Sequence, residues 1–167
     1  AMIDAGNDLM KQGNYDGAIS LFQDFLKKYP DIYPVRLNIA TAYMNKGDLA
    51  GAEAEFKAVL EKTQQAEGDY SKDKPTAMRA LSGLGELALK KGDLEASRKY
   101  LTQALAISPE DEAAAYNVGE MLFSNQNIDE AIKYFELAIQ IKKDWSKPYY
   151  RLGFVYLNKG DYAKSLE

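Results

Sequence analysis

A short turn segment recurs along the chain at nearly constant intervals, and this constrains the fold more than any other feature of the sequence. Successive copies begin 34, 45, 34 and 34 residues apart. A period of this length, carried by a turn between apolar stretches, is typical of stacked helical repeats. The five copies are Gly13-Asn14-Tyr15, Gly47-Asp48-Leu49, Gly92-Asp93-Leu94, Gln126-Asn127-Ile128 and Gly160-Asp161-Tyr162.

Each copy reads as two helices joined by the turn. Apolar residues recur at three- and four-residue spacing, as in Ile19, Phe22 and Leu26, which predicts one buried helical face. An Asp or Asn after the turn glycine suits the N-cap of the second helix. Small residues before and after the turn predict close helix crossings; they are Gly6, Ala40, Gly85, Gly119 and Gly153 before it, and Ala18, Ala52, Ser97, Ala131 and Ser165 after it.

This pattern resembles the tetratricopeptide repeat (TPR) family, whose units are 34-residue helix-turn-helix pairs. The resemblance implies an all-α, right-handed TPR solenoid of antiparallel helix pairs with about four and a half repeats. We predict a single domain over residues 1–167. Its repeats are 1–32, 33–64, 76–111, 112–145 and a truncated copy at 146–167, with Gln126 replacing the turn glycine in the fourth.

The interval of 45 residues marks an insertion at residues 65–75. Pro75 suits the first residue of a helix. We expect the helices on either side to project past their neighbours. The insertion is either an additional contact surface or a tolerated loop extension.

Composition excludes several chemistries. The chain has no histidine and no cysteine, so thiolate nucleophiles, disulfides, Cys/His zinc sites and imidazole bases are impossible. We predict no enzyme activity, no cofactor and no metal. The net charge of −4 argues against nucleic acid as a partner. Gly83 and Gly85 match a dinucleotide-binding pattern, but the preceding residues are predicted to be helical, where that motif needs a strand.

Apolar runs are too short to span a membrane, so we predict no membrane insertion. No targeting sequence is visible. The compartment is therefore open, with the cytoplasm as the default expectation.

In the TPR family the first helix of each pair lines a concave groove, and the resemblance carries that role to specific positions here. We predict that the groove binds a peptide segment of a partner protein. The predicted groove residues are Asn7, Asn38, Arg79, Tyr116, Asn117, Glu120, Phe123, Lys147, Tyr150, Arg151 and Phe154. In the same register, Tyr149 and Tyr156 fall on the core face.

Some members of the family hold a C-terminal carboxylate with a clamp of Lys, Asn and Arg. Asn117, Lys147 and Arg151 match three of its positions, whereas Glu86 at another would repel a carboxylate. We therefore predict no full clamp. Lys147 and Arg151, one turn apart, are a candidate anchor for an acidic group.

The truncated fifth repeat leaves Leu152, Val155 and Tyr156 without most of a covering helix, which predicts that another chain or segment covers them. The function we predict is a protein-protein interaction scaffold. Two alternatives are open: a module that self-assembles as a homo-oligomer through the C-terminal repeat, and a regulatory domain of a larger enzyme.

Overall fold

The computed structural model describes residues 1–160, which contain nine α-helices. Residues 1–160 contain no β-strand, so the prediction of an all-α fold is confirmed. The helices are α1 (Met2–Lys11), α2 (Tyr15–Lys28), α3 (Tyr33–Lys46), α4 (Leu49–Thr63), α5 (Lys74–Lys90), α6 (Leu94–Ile107), α7 (Glu112–Ser124), α8 (Ile128–Ile141) and α9 (Ser146–Lys159). They pair as the repeats predict, with each recurring turn joining a first helix to a second. The turn residues Asp161 and Tyr162 and the small residue Ser165 lie outside the described range.

The turns are built as the sequence predicts. Asn14 and Asp48 cap α2 and α4, since their side chains accept hydrogen bonds from the N–H groups of Gly17 and Gly51. The turn glycines have left-handed backbone, with φ between 77° and 93°. Gln126 takes the same conformation with φ of 63°, which is unfavourable for a residue with a side chain.

The chain divides into two compact units, Ala1–Ile107 and Ser108–Glu167. The first contains α1 to α6. Two clusters form its core, one around Phe22 and Leu26 and another around Leu37, Phe56 and Leu84. Glycine is needed where α1 crosses α2, because a Cβ on Gly6 would lie 2.4 Å from the Phe22 ring.

The insertion forms an ordered loop in the first unit. Ala66 and Asp69 make an isolated antiparallel bridge, and the Gln64 amide donates to the hydroxyl of Tyr70 at 3.0 Å. Pro75 is the second residue of α5, one position later than predicted, because the helix begins at Lys74 with Asp73 as its N-cap. Helix α5 has 17 residues against 14 in α3, whereas α4 has 15. The structure therefore lengthens mainly α5, and residues 64–73 form a loop with internal hydrogen bonds such as that from the Gln65 N–H to the Asp69 carbonyl at 2.8 Å.

The second unit contains α7, α8 and α9. Its core is formed by Leu122, Phe135, Ala138 and Val155, all fully buried. The expectation that Val155 lacks cover is therefore wrong; Leu152 and Tyr156 are partly buried. Because the chain divides into two compact units, a single domain over residues 1–167 remains a prediction.

Candidate functional site

Eight of the predicted groove residues lie in the second unit, on α7 and α9. Helix α7 carries Tyr116, Glu120 and Phe123 at positions i, i+4 and i+7, which places them on one face. Helix α9 presents Lys147, Arg151 and Phe154 with the same spacing. The two sets contact each other through their long side chains. Asn117 and Tyr150 complete the predicted residues of this unit, and both are exposed.

Arg151 and Glu120 form the centre of this surface. The Nε and Nη2 atoms of Arg151 donate to the two carboxylate oxygens of Glu120 at 2.5 and 2.8 Å. Both side chains are partly buried, with exposed fractions of 29% and 27%. Such a bidentate pair fixes the orientation of the guanidinium as well as its position.

Two aromatic rings hold the same guanidinium. Its Cζ lies 5.2 Å from the ring centroids of both Phe123 and Phe154, within the range of cation–π attraction. These two rings also meet edge to face, with centroids 5.9 Å apart. Arg151 is thus held by one carboxylate and two rings, and its conformation is set before any ligand arrives.

Tyr116 is the buried end of the surface, with only 7% of its area exposed. Its ring lies 5.2 Å from that of Trp145, and the Lys147 ammonium stands 4.8 Å from the centre of the Tyr116 ring. Burial, followed by a hydrogen bond to Glu120, raises the pKa of Tyr116 to about 12. The hydroxyl therefore stays protonated at neutral pH.

The charge of Glu120 is maintained despite its partial burial. Burial favours the protonated acid, but hydrogen bonds from Arg151 and Tyr116 outweigh it and lower the pKa of Glu120. The hydrogen bond to Glu120 correspondingly raises the pKa of Arg151. Glu120 thus neutralises one of the two cations expected to form a basic anchor, so the accessible cation of this surface is Lys147.

Beside the ion pair, α9 exposes apolar side chains. Tyr150 is 79% exposed, Phe154 43% and Leu157 49%. They lie at i, i+4 and i+7 and share one face of the helix. We name these three residues the α9 stripe.

The remaining predicted residues lie in the first unit. Asn7 on α1 and Asn38 on α3 are partly buried, and Arg79 on α5 is exposed. Each lies on the first helix of its pair. The clustering of aromatic and charged side chains seen on α7 and α9 is a feature of the second unit.

One prediction of the core was wrong. Tyr149 is 50% exposed, and its hydroxyl donates to the carbonyl of Lys143 at 3.0 Å, in the turn before α9. Tyr156 is partly buried. Trp145 was missed as a member of the site. It is the only tryptophan in the sequence and stands directly before a first helix, which was the available signal.

The described residues, 1–160, hold no group of three or more Asp and Glu side chains arranged to bind a metal ion. None of the helices in that range is both long and apolar enough to cross a membrane.

Antiparallel helix pairs, repeated with left-handed turn residues and small residues at the crossings, define a helical-repeat protein. Sequence profiles of the tetratricopeptide repeat match residues 9–72, 64–112, 82–148 and 146–167. The chain belongs to the tetratricopeptide repeat family, as the sequence pattern predicted.

Among curated proteins, the chain is similar to the Hsp70-Hsp90 organizing protein of Triticum aestivum, with 30% identity over 81 residues. It is also similar to the peroxisomal targeting signal receptor of Eremothecium gossypii, with 31% identity over 85 residues. The matches cover 48% and 51% of this chain but only 14% and 15% of those proteins. Among solved structures, MamA is 25% identical with a TM-score of 0.59, over 96% of this chain and 88% of that one.

Proposed function

We propose that this chain is a non-catalytic scaffold that binds a peptide segment of a partner protein along the first helices of its repeats. The face formed by α7 and α9 contributes most of the binding free energy. The observation that carries the proposal is the exposed α9 stripe beside a guanidinium already fixed by Glu120, Phe123 and Phe154. By their names, one curated relative is an organizing protein for Hsp70 and Hsp90 and the other is a receptor for a peroxisomal targeting signal, which supports an interaction role here.

The α9 stripe would supply affinity. Exposed apolar side chains that lie together on one face are typical of interaction sites, because their burial removes apolar area from water. Tyr150 is the most exposed of them and can contribute both its ring and its hydroxyl to a contact.

The charged groups would supply orientation. Arginine has five N–H donors, of which two are directed to Glu120, so the others can donate to peptide carbonyl groups. Because the guanidinium is already ordered, little conformational entropy is lost when it binds. Lys147 is exposed and can pair with an acidic side chain of the ligand.

A peptide-display selection tests the proposal without knowledge of the natural partner. Peptides selected on the wild-type protein are measured against the variant Tyr150→Ala, Arg151→Ala, Phe154→Ala. We expect a loss of affinity of at least about tenfold, the equivalent of one or two good contacts. Circular dichroism checks that the helices are retained.

The matched control is the double variant Tyr29→Ala, Tyr149→Ala, which removes two aromatic rings that are about as exposed as Phe154 but lie off this face. We expect it to keep full affinity. Equal binding by the triple variant and wild type would exclude this face as the site. A mass in light scattering that rises with concentration, and falls in the triple variant, would favour the self-assembling alternative.

A further inference from the structure

Helix α9 covers three residues of α7. The three residues of the α9 stripe occupy the equivalent positions on α9, one repeat later in the sequence. A shift of 34 residues relates Tyr116 to Tyr150, Glu120 to Phe154, and Phe123 to Leu157. The crossing glycines Gly119 and Gly153 are related by the same shift, which fixes the register. The two helices therefore present the same three positions on the same face.

On α7, these positions are occupied by side chains of the next first helix. Trp145 and Lys147 cover Tyr116, Arg151 pairs with Glu120, and Phe154 packs on Phe123. The result is that Tyr116 is only 7% exposed, whereas its counterpart Tyr150 is 79% exposed. Among the described residues, the α9 stripe therefore presents the same three positions as α7 but with its side chains exposed.

We propose that the α9 stripe is a docking surface for an amphipathic α-helix of a partner protein, which packs along α9 as α9 packs along α7. This inference rests on the proposed function and specifies the form of its ligand. It continues an interface that the structure already contains, and it uses helix-in-groove recognition instead of an extended peptide.

The contacts on α7 define the chemistry of the incoming helix. Lys147, Arg151 and Phe154 are spaced i, i+4 and i+7, so the partner's contact residues have the same spacing. The first is a lysine or arginine, because Tyr150 offers a ring face as Tyr116 does to Lys147. The second is apolar, because Phe154 replaces the carboxylate of Glu120. The third is apolar, to pack on Leu157.

The probe is a helix-stabilised, alanine-based peptide with lysine, leucine and leucine at i, i+4 and i+7, labelled for fluorescence anisotropy. The comparison peptide has glutamate in place of the lysine. We expect the lysine peptide to bind several-fold more tightly than the glutamate peptide. Leu157→Glu in the protein is expected to weaken the lysine peptide more than about tenfold, because a charge is placed in an apolar contact. Tyr149→Glu, also on α9 but off the stripe, is the control and is expected to bind as wild type.

A change of specificity gives a test that misfolding cannot imitate. The variant Phe154→Glu recreates on α9 the carboxylate that Glu120 provides on α7. Because Arg151 lies beside position 154 and neutralises part of the new charge, we expect the ratio of the affinities for an arginine peptide and for the leucine peptide to rise several-fold above its wild-type value. Trp145 fluorescence and circular dichroism verify that the second unit is folded.

The outcomes separate this inference from the function on which it rests. If display-selected peptides bind through the α7 and α9 face while no helical probe binds, the helix proposal is wrong and the proposed function stands. An unchanged peptide preference in Phe154→Glu would also overturn it. Self-association that is abolished by Leu157→Glu and competes with the peptide would assign the stripe to a second copy of the chain.

Discussion

Arg151 of α9 makes a two-point ion pair with Glu120 of α7, 31 residues earlier in the chain. The pair joins the first helices of two successive repeats. It also explains why the face formed by α7 and α9 presents mainly the charge of Lys147, although Lys147 and Arg151 were both expected to be available. A charge that would otherwise attract acidic ligands is used instead to fix the geometry of the site.

Glu120→Gln is expected to destabilise the second unit. The amide keeps one acceptor but turns N–H donors towards the guanidinium, which leaves a partly buried charge without its partner. We expect the free energy of unfolding to fall by about 1–2 kcal/mol. Trp145 packs on Tyr116 beside the pair, so urea titration followed by tryptophan fluorescence reports on this unit.

Asp129→Asn is the matched control. Asp129 pairs with Lys159 at 2.7 Å across 30 residues, but the two side chains are 79% and 48% exposed. Because solvent and salt screen an exposed ion pair, its removal is expected to change stability less than Glu120→Gln does. If both variants unfold like wild type, the Glu120–Arg151 pair contributes nothing measurable to the free energy of unfolding.

Gln126→Gly is expected to stabilise the protein. Gln126 has a φ of 63°, in a turn where four other repeats have glycine. Relief of the left-handed strain, partly offset by the greater freedom of glycine in the unfolded chain, gives a gain of about 0.5–1 kcal/mol. Tryptophan-monitored urea unfolding measures it.

The reverse change provides the control for Gln126. Gly92 has a φ of 79°, and a Cβ added there would meet nothing within 4 Å. Gly92→Gln is therefore expected to lose about 1 kcal/mol from backbone conformation alone, measured by circular dichroism. A stabilised Gly92→Gln variant would contradict the conformational explanation.

Positions with a strict backbone or packing requirement could be predicted from the sequence. Gly6 must lie against Phe22, and the turn glycines must have positive φ. Each requirement selects a small residue or a glycine that recurs at the same position in successive repeats. The family and the helix pairs followed directly from these recurring residues.

Side-chain partners were harder to predict, because they depend on rotamers and on the next helix. Tyr149 was expected in the core but is 50% exposed, and its hydroxyl donates to the carbonyl of Lys143, a partner in the preceding turn that helical periodicity does not reveal. The Glu120–Arg151 pair was also missed. Opposite charges about one repeat apart were its sequence signal, and Lys46 pairs with Asp16 in the same way, at 2.6 Å.

Ser97→Ala is expected to stabilise the first unit. The Ser97 hydroxyl is fully buried and, within the described part of the chain, has no hydrogen-bond partner. Alanine stands at the equivalent positions 18, 52 and 131. Removal of an unsatisfied polar group should raise the free energy of unfolding by about 1 kcal/mol or more, measured by circular dichroism in urea.

Ser20→Ala on α2 controls for helix propensity, because Ser20 is exposed in the middle of a helix. We expect about 0.5 kcal/mol from propensity alone at this position. A gain at Ser97 no greater than that at Ser20 would mean that the buried hydroxyl is satisfied in solution.

Glu53 is expected to make stability depend on acid pH. Hydrogen bonds from Lys57 and then Lys91 lower its pKa from 4.5 to about 2. A carboxyl whose pKa is lower in the folded state contributes stability above its unfolded pKa and loses it as pH falls through the folded pKa. The difference in unfolding free energy between wild type and Glu53→Gln should therefore be constant from neutral pH to about 4.5 and shrink between 4.5 and 2. Urea titrations by circular dichroism across this range measure the difference, and a difference that stays the same down to pH 2 would show that the two lysines do not hold the Glu53 carboxylate in solution.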